Sequence, residues 1–129
     1  MIERIKNIDD LPAVIELIGK IKRWDLDLEE TREYLTREIN NPCLLILLDK
    51  DRKFTIVAEI KTDFIKPYCM VWYAYSENKE ASKDGWYLVK RFTKEWDCDV
   101  IRALVKKNIG AFDRVYGFKP EAILVKREV

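Results

Sequence analysis

Few side chains in this sequence are placed for acid–base chemistry, and the first to consider is a carboxylate. Glu59 lies on the polar side of a run in which Phe54, Ile56, Ala58 and Ile60 alternate with Thr55, Val57, Glu59 and Lys61, the period of a half-buried strand. A carboxylate in such a position takes a proton directly or through water if it faces a reacting group. On ordinary residue preferences the plainer expectation is a solvated strand position. The alternatives to Glu59 are few because the chain contains no histidine. A Ser-His-Asp triad, a Cys-His pair, a His-ligated zinc and an imidazole base are all excluded from this chain alone. Cys43, Cys69 and Cys98 form no C-x-x-C pair, so a zinc ribbon, a thioredoxin-type site and metal binding in general are not expected. Cys43 and Cys69 fall in apolar runs, which predicts reduced core thiols in a cytoplasmic protein.

Charge narrows the partners. Among 129 residues, 24 Lys and Arg face 23 Asp and Glu, for a net charge of +1, so no general field draws the chain to nucleic acid or to an anionic membrane. The local basic groups, Lys106-Lys107 before Asn108 and Lys90-Arg91 with Lys94, are interleaved with acids and read as solvated faces. The N-terminus lacks the apolar stretch of a signal peptide, and the longest apolar run, Cys43 to Leu48, is too short to cross a bilayer. With 48% hydrophobic residues and no linker or repeat, residues 1–129 are expected to form a single domain.

The elements that must position these groups follow from periodicity. Ile2 to Ile8 suits a short edge strand, and Asp9-Asp10-Leu11-Pro12 a helix start with a carboxylate cap. Leu11, Val14, Ile15, Ile18 and Ile21 continue that helix. Asp27 with Glu30 marks a second start by a capping box, and Leu28, Thr31, Leu35 and Ile39 fall on its inner face. Leu44–Leu48 reads as a strand covered on both faces; Asp49–Lys53 is a polar turn into the alternating strand, and the aromatic run Tyr68–Tyr75 completes an antiparallel meander. Gly85, Leu88, Val89, Phe92 and Trp96 predict a helix, Val100–Val105 a strand, Asn108–Val115 a short helix closed by Gly117, and Ala122–Val125 a last strand. The result is an α/β (α+β) fold: a mixed, mostly antiparallel sheet in the order β-α-α-β-β-β-α-β-α-β, with one crossover that forces a parallel pair.

That order, followed by Asn108-x-x-Ala111, Phe112 and Tyr116-Gly117-Phe118, resembles the GNAT superfamily of N-acetyltransferases. The resemblance implies an acyl-CoA-dependent N-acyltransferase that moves acetyl from acetyl-CoA to an amine, held by a small molecule or a peptide. It also implies a pyrophosphate cradle of the form Arg/Gln-x-x-Gly-x-Gly/Ala at the start of the helix after the fourth strand. The matching segment runs from Asn78 to Trp86 and satisfies the motif in neither register of Gly85; Glu80 and Asp84 bring negative charge that Lys79 and Lys83 partly offset. By position, the cofactor-binding residues implied are Tyr73, Ala74 and Tyr75 for the pantetheine arm, Lys79, Ser82, Lys83, Asp84, Gly85 and Trp86 for the phosphates, and Asn108 and Phe112. Packing is the plainer role for Trp72, whereas for Tyr73 and Tyr75 packing and cofactor contact stand level. The catalytic residues implied are Glu59 as base and Tyr116, the phenol nearest the place where the family carries its acid. The degenerate cradle keeps a second function open, a catalytically inactive GNAT-fold module that binds a ligand or a protein. The aromatic strand Tyr68–Tyr75 also offers an edge to a second copy, so a homodimer is among the expected partners.

Overall fold

The computed structural model describes residues 1–21, 26–62 and 66–103. Within them β1 (Ile2–Arg4), α1 (Leu11–Ile18), α2 (Leu28–Glu38), β2 (Leu44–Asp49), β3 (Phe54–Thr62), β4 (Pro67–Ser76), α3 (Lys79–Glu95) and β5 (Ile101–Ala103) follow one another in the expected order. The expected last helix and last strand, with Asn108, Phe112 and Tyr116, lie outside the described residues. The strands form one sheet in the order β1-β2-β3-β4-β5, antiparallel except for the β4–β5 pair.

Helices cover both faces of the sheet, and this changes the expected burial of β3. Leu44, Ile46, Leu48 and Val57 join α1 and Leu35 of α2 in one core cluster. Leu45, Leu47, Phe54, Ile56 and Ala58 pack with Ala81, Trp86, Val89 and Phe92 of α3 in the other. β3 is therefore buried from Phe54 through Glu59 without alternation, because the face that carries its polar residues lies under α1 and α2. Thr55 meets that burial by donating to the Leu47 carbonyl at 2.8 Å.

Local signals hold at some ends and move at others. Asp27 caps α2, accepting from the N–H groups of Glu29 at 3.0 Å and Glu30 at 3.1 Å, which satisfies orphan donors of the first turn. At α1 the expected carboxylate cap is absent: Asn7 caps a short 3-10 turn, Ile8–Asp10, and Asp10 makes no side-chain cap bond. The largest shift is at α3. Asn78 caps it, so the helix begins at Lys79, ahead of the expected apolar stripe that starts at Gly85. At its other end Trp96 lies just beyond the helix and is 37% exposed.

Candidate active site

A cleft of about 460 Å³ lies between α2, β3 and β4. α2 contributes Asp27, Glu30, Thr31 and Tyr34 at helical spacing. β3 contributes Val57, Glu59 and Lys61, alternate residues that share a face of the strand. From β4 come two successive residues, Trp72 and Tyr73, which regular alternation would send to opposite faces. The register explains them: Val57 pairs Tyr73 while Ala58 pairs Val71, leaving Trp72 as the extra residue of a β-bulge. A bulge breaks alternation and re-aims side chains. Cys69 and Val71 accordingly pack on the α3 side, whereas Trp72, Tyr73 and Tyr75 all pack toward α1 and α2.

Glu59 is the buried charge in this cleft, 6% exposed, so the expected solvated position is corrected by the cover that α2 provides. Its Oε2 accepts from the Tyr34 hydroxyl and its Oε1 from the Trp72 indole N–H at 3.1 Å. The Lys61 ammonium stands 3.6 Å from the same Oε1. A buried carboxylate needs such partners, since an unpaired one would cost several kcal/mol. Burial and the hydrogen bond to Glu59 hold the Tyr34 phenol well above the usual tyrosine range. It therefore acts as a donor to Glu59 at neutral pH and not as an anion. Tyr73 shares a hydroxyl hydrogen bond of 3.0 Å with Thr31, tying β4 to α2 across the cleft.

On the other side of the bulge, the described residues of β5 pair β4 at Cys69, Met70 and Val71. Among the described residues, no strand lies beside Tyr73, Ala74 and Tyr75 on the edge away from β3. Lys20 binds Glu77 at 3.0 Å and lies 5.9 Å over the Tyr75 ring; hydrogen bonding to Lys20 holds the Glu77 carboxyl below its ordinary range. At the start of α3 the Asn78 side chain accepts from the N–H groups of Glu80 at 2.9 Å and Ala81 at 3.3 Å. Asn78 N–H is itself bonded to Ser76 Oγ at 3.1 Å. Gly85 faces the sheet: an added Cβ would fall 2.0 Å from Phe54 Cζ. Ser82 and Trp86 are buried, each 9% exposed, while Lys79, Lys83 and Asp84 are exposed.

No family model matches the sequence, and no curated protein matches it. Solved structures do. The aminoglycoside 6'-N-acetyltransferase AAC(6')-Ig of Acinetobacter haemolyticus superposes with a TM-score of 0.79 at 14% identity, over 100% of this chain and 99% of that one. This chain has the GNAT fold. Glucosamine-6-phosphate N-acetyltransferase of Arabidopsis thaliana superposes at 0.72 with 15% identity, over 99% of this chain and 97% of that one. The aminoglycoside N-acetyltransferase AAC(6')-Iy, solved with CoA, superposes at 0.78 with 12% identity, over 99% and 93%.

Within the GNAT fold, the start of α3 is where the resemblance places the pyrophosphate, and the residues there do not form an open cradle. Asn78 already takes the donors that would turn to a phosphate, Glu80 adds a carboxylate to the first turn, and Phe54 fills the space Gly85 leaves. Ser82, Gly85 and Trp86 are buried, Gly85 against Phe54, and Lys79 and Lys83 are exposed cations on the same turns of α3. Tyr34 and Trp72 are not among the site residues expected from the sequence. Tyr34 lies beside Leu35 and three residues after Thr31, on the inner stripe of α2, and a phenol on an apolar stripe signals a buried partner. Trp72 carries no such signal, because only the bulge turns it into the cleft.

Proposed function

We propose that this GNAT-fold chain is an N-acyltransferase whose acceptor amine binds in the α2–β3–β4 cleft, with acetyl-CoA as acyl donor. The observation that carries the reading is Glu59, a buried carboxylate at 6% exposure, fixed by Tyr34 and Trp72 beside the β4 bulge. An alkylammonium is protonated at neutral pH, with a pKa of about 10.4 for a lysine-like amine, and it becomes a nucleophile only on losing a proton. Glu59 attracts the ammonium and accepts that proton, directly or through water, as nitrogen approaches an acyl carbon. Tyr34 and Trp72 occupy part of the oxygen lone-pair capacity and hold the carboxylate still, so the amine meets a pre-oriented base. Acetyl-CoA would supply the thioester, whose C–S bond breaks as the C–N bond forms, the thiolate leaving as free CoA thiol with the second proton that the nitrogen gives up. Among the described residues no strand lies beside the edge of β4 at Tyr73–Tyr75, and an extended amide arm would lie there as an added strand does.

Calorimetric titration with acetyl-CoA, followed by thiol release with a panel of primary amines, tests this reading. Glu59→Gln is expected to lower kcat by roughly 100-fold or more while the acetyl-CoA affinity stays as it was. A second reading, a GNAT-fold module that binds an amine without acylating it, is favoured by the capped start of α3. Absence of binding at millimolar acetyl-CoA would decide for that module.

A further inference from the structure

The cleft already contains a primary ammonium. Lys61 Nζ lies 3.6 Å from Glu59 Oε1 and 6.0 Å from the Trp72 ring centroid, and the same carboxylate and ring are what an incoming alkylammonium would seek. The Lys61 side chain is 43% exposed while that of Glu59 is 7% exposed, so the lysine reaches from the rim toward a buried charge. We infer that Lys61 is a tethered competitor at the acceptor position, so that an acceptor amine binds by displacing its ammonium from Glu59 and Trp72. The inference rests on the proposed placement of the acceptor in this cleft. Two consequences follow from charge. A tethered group competes at an effective concentration in the millimolar range, which sets a high threshold for a simple monoamine. Glu30 and Glu33 also line the cleft and are exposed, so an acceptor with a second positive charge gains a partner that Lys61 does not use. The cleft thus selects diamines and other multiply charged amines over monoamines.

Arg37 provides the internal control. It also lines the cleft, 5.5 Å over the Tyr34 ring, but its ion pair, at 3.7 Å, is with Glu38 and not Glu59. Calorimetry with n-pentylammonium chloride, a match to the lysine stem and head, is run on the wild type, Lys61→Met and Arg37→Gln, with 1-pentanol as the neutral probe. Lys61→Met is expected to bind pentylammonium about tenfold or more tightly than the wild type, with pentanol unchanged, and Arg37→Gln to shift it by less than about threefold. Pentane-1,5-diammonium is expected to bind the wild type more tightly than pentylammonium does. Equal affinity in the wild type and Lys61→Met overturns the inference, as does an equal gain in Arg37→Gln, which would reduce Lys61 to a contributor to the general field. Melting temperatures of the three proteins are compared first; the neutral, polar Lys61→Gln serves if Lys61→Met is poorly folded, and the same tightening is expected. The outcomes separate from those of the proposed function. Amine acetylation with no effect of Lys61 on binding refutes only the competitor. Tighter binding in Lys61→Met without acyl transfer to any amine refutes only the enzyme.

Discussion

Glu59 and Tyr34 show how much a single buried pair decides. Replacing Tyr34 by Phe removes the hydroxyl that donates to Glu59 Oε2 and leaves a buried carboxylate with fewer donors, a change that costs about 1–3 kcal/mol. The same pair sets a pH dependence. Tyr34 has a raised pKa in the folded chain, against 10.0 for the free side chain, so above pH 10 the folded state holds a proton that the unfolded state releases. Its stabilisation is complete below that pH and falls as pH rises further. Urea titrations between pH 8 and 11.5 should show a steeper alkaline loss for the wild type than for Tyr34→Phe; parallel curves would contradict the assignment. The thiols belong to this scale too. Burial pushes Cys69 up to about 11 and raises Cys98, whereas Cys43 is only half-buried. Mass spectrometry after brief alkylation at pH 8 should find Cys43 labelled first, with Cys69 following only on unfolding.

At the scale of elements, α3 carries two separable roles. Its inner face needs Gly85, because a methyl group there would overlap the Phe54 ring. Gly85→Ala is expected to lose about 1–3 kcal/mol, with Phe54→Leu in the same chain recovering part of the loss by making room. Its N-terminus needs a cap. Asn78→Ala should cost about 1 kcal/mol, whereas Asn78→Gly should cost only a few tenths. The glycine variant therefore frees the Glu80 and Ala81 N–H groups at little expense in stability. If the start of α3 receives the phosphates of acetyl-CoA, titration of Asn78→Gly will give a tighter complex than the wild type. An unchanged affinity would mean that the phosphates do not use these two N–H groups, with Lys79 and Lys83 as the next positions to reverse in charge.

For the whole molecule, the sheet joins both cores. β2 and β3 send alternate residues into the α1–α2 cluster and into the α3 cluster, so neither cluster loses its strands without exposing the other. Denaturation followed by far-ultraviolet circular dichroism and by tryptophan fluorescence should give one coincident transition; two separated transitions would refute a single cooperative domain. The same shared sheet holds the cleft. α2 reaches β3 through Tyr34, which donates to Glu59, and β4 through Thr31, which is bonded to Tyr73, while the bulge in β4 supplies Trp72.

The order of the described elements was legible in the sequence because hydrophobic period, caps and turn residues are local signals: Asp27 caps its helix, and Leu44–Leu48 reads as a strand covered on both faces before any neighbour is known. The absence of histidine was equally final, since no fold supplies a side chain the chain lacks. Glu59 shows where that reading stopped. Its place on the strand was legible, but its burial depended on α2 crossing the polar face of β3, a contact between segments that no local period encodes. The direction of Trp72 depended on one extra residue in β4, and bulges change facing without changing composition. Gly85 was visible as a special residue, yet only the approach of Phe54 determined that its missing Cβ makes room for a ring. Sequence determined which groups were available and on which elements they lay. Tertiary structure decided which were buried, because burial is a property of the space between elements.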